Sequence, residues 1–287
     1  MLPNSFFSSH SLLDTVRRNR FVLMFFLVLA AELLFAVFSF LPVVAADKQT
    51  VSTDPRLLSD LEPHYRESVS RGWRFFQTSF AQDGVACVHC HPRYDAMRLW
   101  AGAYPKVQVF DGTPYQVKGL REVVVEALEK HTDLLPYQRL ELVEDLVAYI
   151  AWWADGIPIA PGHSRAFPPP EEDLAILQSS VDRGRRFISK DTFGFCRKCH
   201  STEEEMKNKK IPLGQAASTF PRFIDPPGRV MPLESYLSWH IAEHGNGRKL
   251  PEESDVTDLA AYLASLAEGI RLHPGGWSRG QGGKGHE

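Results

Sequence analysis

Cysteine is scarce in this chain of 287 residues: there are four, and all four fall in two copies of one pattern, Cys87-x-x-Cys90-His91 and Cys196-x-x-Cys199-His200. None remains for a structural disulfide. Net charge is scarce as well. Thirty-two basic residues against 35 acidic ones leave −3 with histidine neutral, which lacks the basic excess that a nucleic-acid partner requires. Alternating apolar and polar runs of strand type are missing, and so are a glycine-rich phosphate loop and a convincing nucleophile–base pair. What remains is a globular composition, 44% apolar and 23% charged, in a chain long enough for two ordinary domains.

The N-terminus carries an export signal. Arg17, Arg18 and Arg20 precede a predominantly apolar run from Phe21 to Ala46, and Val44-Ala45-Ala46 resembles a signal-peptidase site. The run is longer than the roughly 7–15 apolar residues of an ordinary signal peptide and long enough to span a bilayer. Glu32 within it disfavours stable membrane residence, because a buried carboxylate there is costly. Residues 1–46 are therefore read as either a cleaved signal or a retained anchor, with a buried core helix as the bland alternative. In both export readings the arginines stay cytoplasmic and the chain after Asp47 crosses the membrane.

The rest of the chain is duplicated. Arg71-Gly72-Trp-Arg-Phe75-Phe76 answers to Arg183-Gly184-Arg-Arg-Phe187-Ile188, and Tyr104-Pro105-Lys106-Val107 to Phe220-Pro221-Arg222-Phe223. From Leu120 and Leu233 the match runs without a gap to Gly156-Ile157 and Gly269-Ile270, placing Asp145 and Tyr149 over Asp258 and Tyr262. The expected organisation is domain one over 55–160, a proline-rich connector over 161–170, domain two over 171–272, and a glycine-rich tail over 273–287 unable to order itself.

Each half predicts a first helix before the cysteine motif, over Ser59 to Phe80 and Glu171 to Ser189, and a last helix over Gln138 to Ala154 and Glu253 to Glu268. Apolar residues at three- and four-residue spacing, such as Leu142, Leu146, Tyr149 and Ile150, carry the last-helix assignment. The expected class is all-α, two tandem helical domains after the N-terminal signal or anchor helix.

C-x-x-C-H is the attachment motif of c-type haem. Two thiols add to the porphyrin vinyl groups, which places the following histidine beneath the iron. Cys87, Cys90, Cys196 and Cys199 are thus the expected tethers of two c-type haems, and His91 and His200 the proximal iron ligands. A zinc site also uses C-x-x-C pairs but does not need a histidine after the second cysteine in both copies. A thioredoxin-type disulfide would need a βαβ pattern, which is absent.

These motifs resemble the class I cytochrome c family. That family pairs a glycine and an aromatic four residues later on its first helix with an aromatic on its last helix. Gly72 and Phe76 with Leu146 and Tyr149 fit this pattern, as do Gly184 and Ile188 with Leu259 and Tyr262, Ile188 being the one departure. The resemblance covers about 55–157 and 170–270. It implies a distal iron ligand shortly before the last helix, where this chain has His131 and His244, each eighteen residues before its tyrosine. Met97 and Met206, each six residues after its proximal histidine, are rivals, and His240 is a rival in the second half alone. Bis-histidine ligation would lower the reduction potential relative to histidine–methionine.

The expected function is an exported electron carrier whose two haems pass electrons between redox partner proteins of a periplasmic or membrane electron-transport chain. It would reside in the periplasm or on the outer face of the bacterial inner membrane, there either released or anchored through 21–46. The alternative is a dihaem oxidoreductase, a peroxidase or a thiosulfate-oxidising type. The order of motifs is similar to the haem subunit of the thiosulfate-oxidising complex, whose substrate-handling cysteine has no counterpart here. Glu203–Glu205 followed by Lys207, Lys209 and Lys210 offers a charged docking site near the second haem, or a solvated loop.

Overall fold

A computed structural model of the chain describes residues 56–108, 116–163, 169–190, 192, 196, 213–245 and 250–276. The apolar run, the charged 203–210 segment, Cys199, His200 and Met206 lie outside the described residues. Among those described, no helix is long and apolar enough to cross a membrane.

The fold is all-α in character, with two small hairpins. Helix α1 spans Pro63–Gln77, α2 Cys87–Cys90, α3 Tyr94–Met97 and α4 Trp100–Ala103. Strands β1 (Lys106–Gln108) and β2 (Gln116–Lys118) follow, then α5 (Leu120–His131) and α6 (Pro136–Trp153). The second half repeats the order with α7 (Glu171–Ser189), α8 (Leu213–Ala217), β3 (Arg222–Ile224), β4 (Arg229–Met231), α9 (Leu233–His244) and α10 (Glu253–Leu266).

Local chemistry sets the helix ends. Pro63 occupies the first turn of α1, where its missing N–H is no loss, and Glu62 accepts hydrogen bonds from the His64 and Tyr65 amides. Glu62 and Pro63 therefore start the helix four residues later than apolar spacing suggests. α6 likewise begins with a proline, Pro136, and Leu135 N–H donates to the Gln138 side chain. The last helix of each half accordingly falls within two residues of its expected start and end.

The first and last helix of each half cross in contact, α1 on α6 and α7 on α10. A β-carbon on Gly72 would overlap the Asp145 carbonyl oxygen and lie 2.8 Å from Cβ of Tyr149. One on Gly184 would overlap the Asp258 carbonyl oxygen and lie 2.8 Å from Cβ of Tyr262. Only glycine permits an approach this close. Beside each glycine sits the same polar clamp. Asp145 accepts from Ser68 Oγ, from Arg71 Nε at 2.7 Å and from Arg71 Nη2 at 2.9 Å; Asp258 accepts from Ser180 Oγ at 2.5 Å, Arg183 Nε at 2.6 Å and Arg183 Nη2 at 2.8 Å.

The hairpins were not expected, because three-residue strands are too short for an alternating pattern to stand out. β1 pairs antiparallel with β2, and β3 with β4, in equivalent registers that set Lys106 opposite Lys118 and Arg222 opposite Met231. Each hairpin packs on the opposite half. β1 and β2 lie against α7, while β3 and β4 lie against α1. Val230 is buried in the same core as Tyr65, Val69 and Tyr149, and the Phe223 ring stacks on His64 at 4.2 Å. Ala151 of α6 and Ala154 just after it share a buried cluster with Leu263 and Ala264 of α10.

Two connecting segments are more tightly held than their composition suggests. The segment leading into the connector is part of the core: Ile157 and Ile159 are buried and exchange backbone hydrogen bonds with Gly269, Ile270 and Leu272. The tail, expected to be unordered from His273, is pinned as far as Gly276. Arg56 donates to the Pro274 and Gly276 carbonyl oxygens, and Gly275 N–H donates to Pro221 O at 2.6 Å. Composition alone does not reveal these partners, which lie more than two hundred residues away in Arg56 and near the tail in Pro221.

Candidate functional site

The first cysteine motif forms a single helical turn. His89 N δ1 accepts the Ala86 amide at 2.9 Å, which caps α2 and leaves the His89 ring exposed on the outer side. Cys87 is half-buried against the core of the first half, with Phe75, Val88 and Leu142 in the same cluster, and burial pushes its thiol pKa up. Cys90 is exposed. His91 ends the helix with non-helical backbone, and its ring meets Trp100 edge-on at 4.9 Å.

His131 is the exposed last residue of α5, whose buried stripe is Leu120, Val124 and Leu128. His131 lies close enough that its charge, after burial, is the second cause lowering the His91 pKa. The two imidazoles are 40 positions apart in sequence.

Met97 is fully buried in the core around Tyr65 and Tyr149. It fills space between α3 and the crossing helices, which is ordinary work for a flexible thioether.

In the second half, Cys196 is buried against Phe187, Ile188, Leu237, Ile241 and Leu259. His240 and His244 lie one turn apart on α9 with ring centroids 4.6 Å from each other. His240 also stacks on Tyr236 at 5.2 Å, and Trp239 presents its ring to His244 at 6.0 Å. Here the structure brings both candidate distal histidines onto one helix face, as their four-residue spacing requires. Trp100 and Trp239, which pack on these rings, were not singled out from the sequence; they do not coincide in the internal alignment.

Neither a protein-family model nor a curated protein matches the sequence. The fold, however, is similar to the crystal structure of SoxXA from P. pantotrophus. The two superpose with a TM-score of 0.54 at 14% identity, covering 72% of this chain and 75% of that one. The fold is cytochrome c-like. Within that cytochrome c-like fold, the glycine crossings, the cysteine turn and His131 occupy one repeated unit, and Gly184, Cys196 and His244 occupy the other.

Proposed function

We propose that this chain is an exported electron carrier with two covalently held c-type haems, each ligated by two histidines. Cys87 and Cys90 would tether the first haem, with His91 below its iron and His131 above. Cys196 and Cys199 would tether the second, with His200 and His244 as its ligands. The likeness to SoxXA supports a haem-cytochrome role. The observation that carries the reading is the repeated C-x-x-C-H motif, Cys87 to His91 and Cys196 to His200, in a chain whose fold is similar to that of SoxXA; the charge of His131 acting on His91 supports the first ligand pair.

The donor set fits a haem. It offers two imidazoles from different elements and two thiols one helical turn apart, the first of them half-buried against the core. When bound, the haem supplies one-electron chemistry at its iron. The protein's own residues would supply the tethers and the ligating nitrogens, with His131 carried at the end of α5. Redox partner proteins of a periplasmic or membrane chain would exchange electrons with it, and residues 21–46 would direct export or anchor the chain.

Potentiometric titration with spectra of both oxidation states tests this. Two haems per chain, both low-spin and without a methionine-to-iron charge-transfer band, are expected. A single haem or a high-spin resting iron would defeat the reading.

A second reading is a dihaem oxidoreductase. It is favoured by His240 beside His244, which gives the second iron an exchangeable choice of ligand, and by the likeness to SoxXA. Turnover of thiosulfate or peroxide in a steady-state assay would select it.

A further inference from the structure

The two halves share a fold, so their differences at equivalent positions show what the fold itself does not require. In the internal alignment Trp73 answers to Arg185, Trp152 to Ser265, Trp153 to Leu266 and Tyr94 to Glu203. The helix crossing is the same in both halves, with Gly72 on Asp145 and Gly184 on Asp258. Packing at the crossing therefore does not call for the three tryptophans of the first half.

These four aromatic side chains line one open groove between α1 and the end of α6, together with Leu58 and Arg74. Tyr94 and Trp153 stack at 4.8 Å. Trp73 is 51% exposed, Leu58 39%, and Leu57, next to it in the chain, 69%. Large apolar side chains clustered in water mark a surface that meets something apolar.

The point where the chain enters the first half indicates what that is. Trp152 Nε1 donates to the Arg56 carbonyl oxygen at 2.9 Å, and Arg56 Nε donates to Asp155 Oδ2 at 3.0 Å, so the backbone at Arg56 is fastened to this groove. Nine residues, 47–55, separate Arg56 from the apolar run that ends at Ala46. Their extended length is about 30 Å. Tryptophan and tyrosine favour the membrane–water boundary, where the ring is buried and its polar edge stays hydrated. An arginine there lays its stem along apolar surface and reaches the lipid phosphates. Leu57, Leu58, Trp73 and Arg74 have the composition of such a boundary.

We propose that this face of the first half lies on a lipid bilayer, with Leu57, Leu58 and Trp73 between the headgroups and the acyl chains. The inference goes beyond the proposed electron transfer and rests on it only in reading residues 21–46 as a membrane segment.

Photo-crosslinking of the full haem-loaded chain in phosphatidylcholine vesicles tests it, with a diazirine in the lipid acyl chain and the adducts mapped by mass spectrometry. Adducts on Leu57, Leu58 and Trp73 are expected, and none on Tyr137, which is also exposed but lies at the other end of α6. Trp73→Arg brings in the side chain that the second half carries at the equivalent position, and Leu57→Ser changes a residue with little packing to lose. Each should lower the adduct yield on the rest of the face about tenfold, the worth of burying one large apolar side chain, with the haem spectrum unchanged. Adducts confined to residues 21–46 overturn the docking and leave the membrane segment standing, which is also the outcome if the face serves a protein partner. Adducts nowhere in the chain overturn both, and a yield that neither variant lowers overturns the docking. Crosslinking does not read the iron, so docking and haem ligation fail separately.

Discussion

Arg71 grips Asp145 with two parallel hydrogen bonds, Nε to Oδ2 at 2.7 Å and Nη2 to Oδ1 at 2.9 Å, across the crossing of the first and last helices. Arg183 and Asp258 repeat the arrangement. In both pairs the carboxylate is buried and the guanidinium about half exposed. Removing the arginine therefore strands a buried charge, whereas a surface pair would contribute little. Arg71→Ala is expected to destabilise the chain by about 2 kcal/mol in a denaturant titration, and Arg71→Lys to recover only part, because an ammonium cannot make the fork. A shift within error for Arg71→Ala would show that the clamp is ornamental.

Gly184→Ala forces a β-carbon into the Asp258 carbonyl. Backbone must move to admit it, and a loss of about 3 kcal/mol or failure to accumulate is expected. Gly228→Ala is a poor control despite its open surroundings, since its φ of 77° is itself strained for alanine. Thermal melts of Gly184→Ala beside the parent chain provide the measurement.

Met97 separates packing from ligation. Met97→Leu conserves volume in the core and should cost less than about 1.5 kcal/mol, leaving the haem spectrum unchanged. Met97→Ala should cost about 3 kcal/mol through the cavity it leaves. A changed spectrum in the leucine variant would transfer the distal role from His131 to Met97.

Where the halves meet, Glu234 of α9 and Glu144 of α6 have pKa values raised by burial, and Ser235 Oγ donates to Glu144 at 2.7 Å. An acid whose folded pKa exceeds its unfolded value holds its proton more tightly in the folded chain. Stability is then greatest below the unfolded carboxylate value and falls as pH rises toward the raised one. Glu234→Gln should flatten that decline, leaving the melting temperature unchanged at low pH and higher than the parent at neutral pH. Identical pH profiles for the two proteins would refute this.

The hairpin exchange makes each half depend on the other. Val230 belongs to the second half but is buried in the core of the first. Val230→Ala should therefore cost about 2 kcal/mol and loosen the first half, read as faster amide exchange in α1 and α6. Protection lost only from the second half would contradict the exchange.

Much of the site was legible because attachment chemistry is local. Two thiols and a histidine within five positions need no tertiary information, and neither does the four-residue step from His240 to His244. His131 was singled out, as the partner of His91, only by comparison with its repeat and through the family resemblance. Met97 and Met206 coincide in the alignment as neatly as the histidines do, and only burial shows that Met97 sits in the core.

By itself the sequence determined the all-α class, the duplication, the last helices and the cysteine turns, because helical periodicity, caps and covalent motifs act over a few residues. Tertiary structure alone decided that the hairpins exchange between halves, that Ile157–Ile159 and Pro274 are held in place, and that Asp145 and Asp258 are clamped. Those outcomes depend on burial and on contacts between residues as many as about two hundred positions apart, whose free energies exist only once the chain has closed on itself.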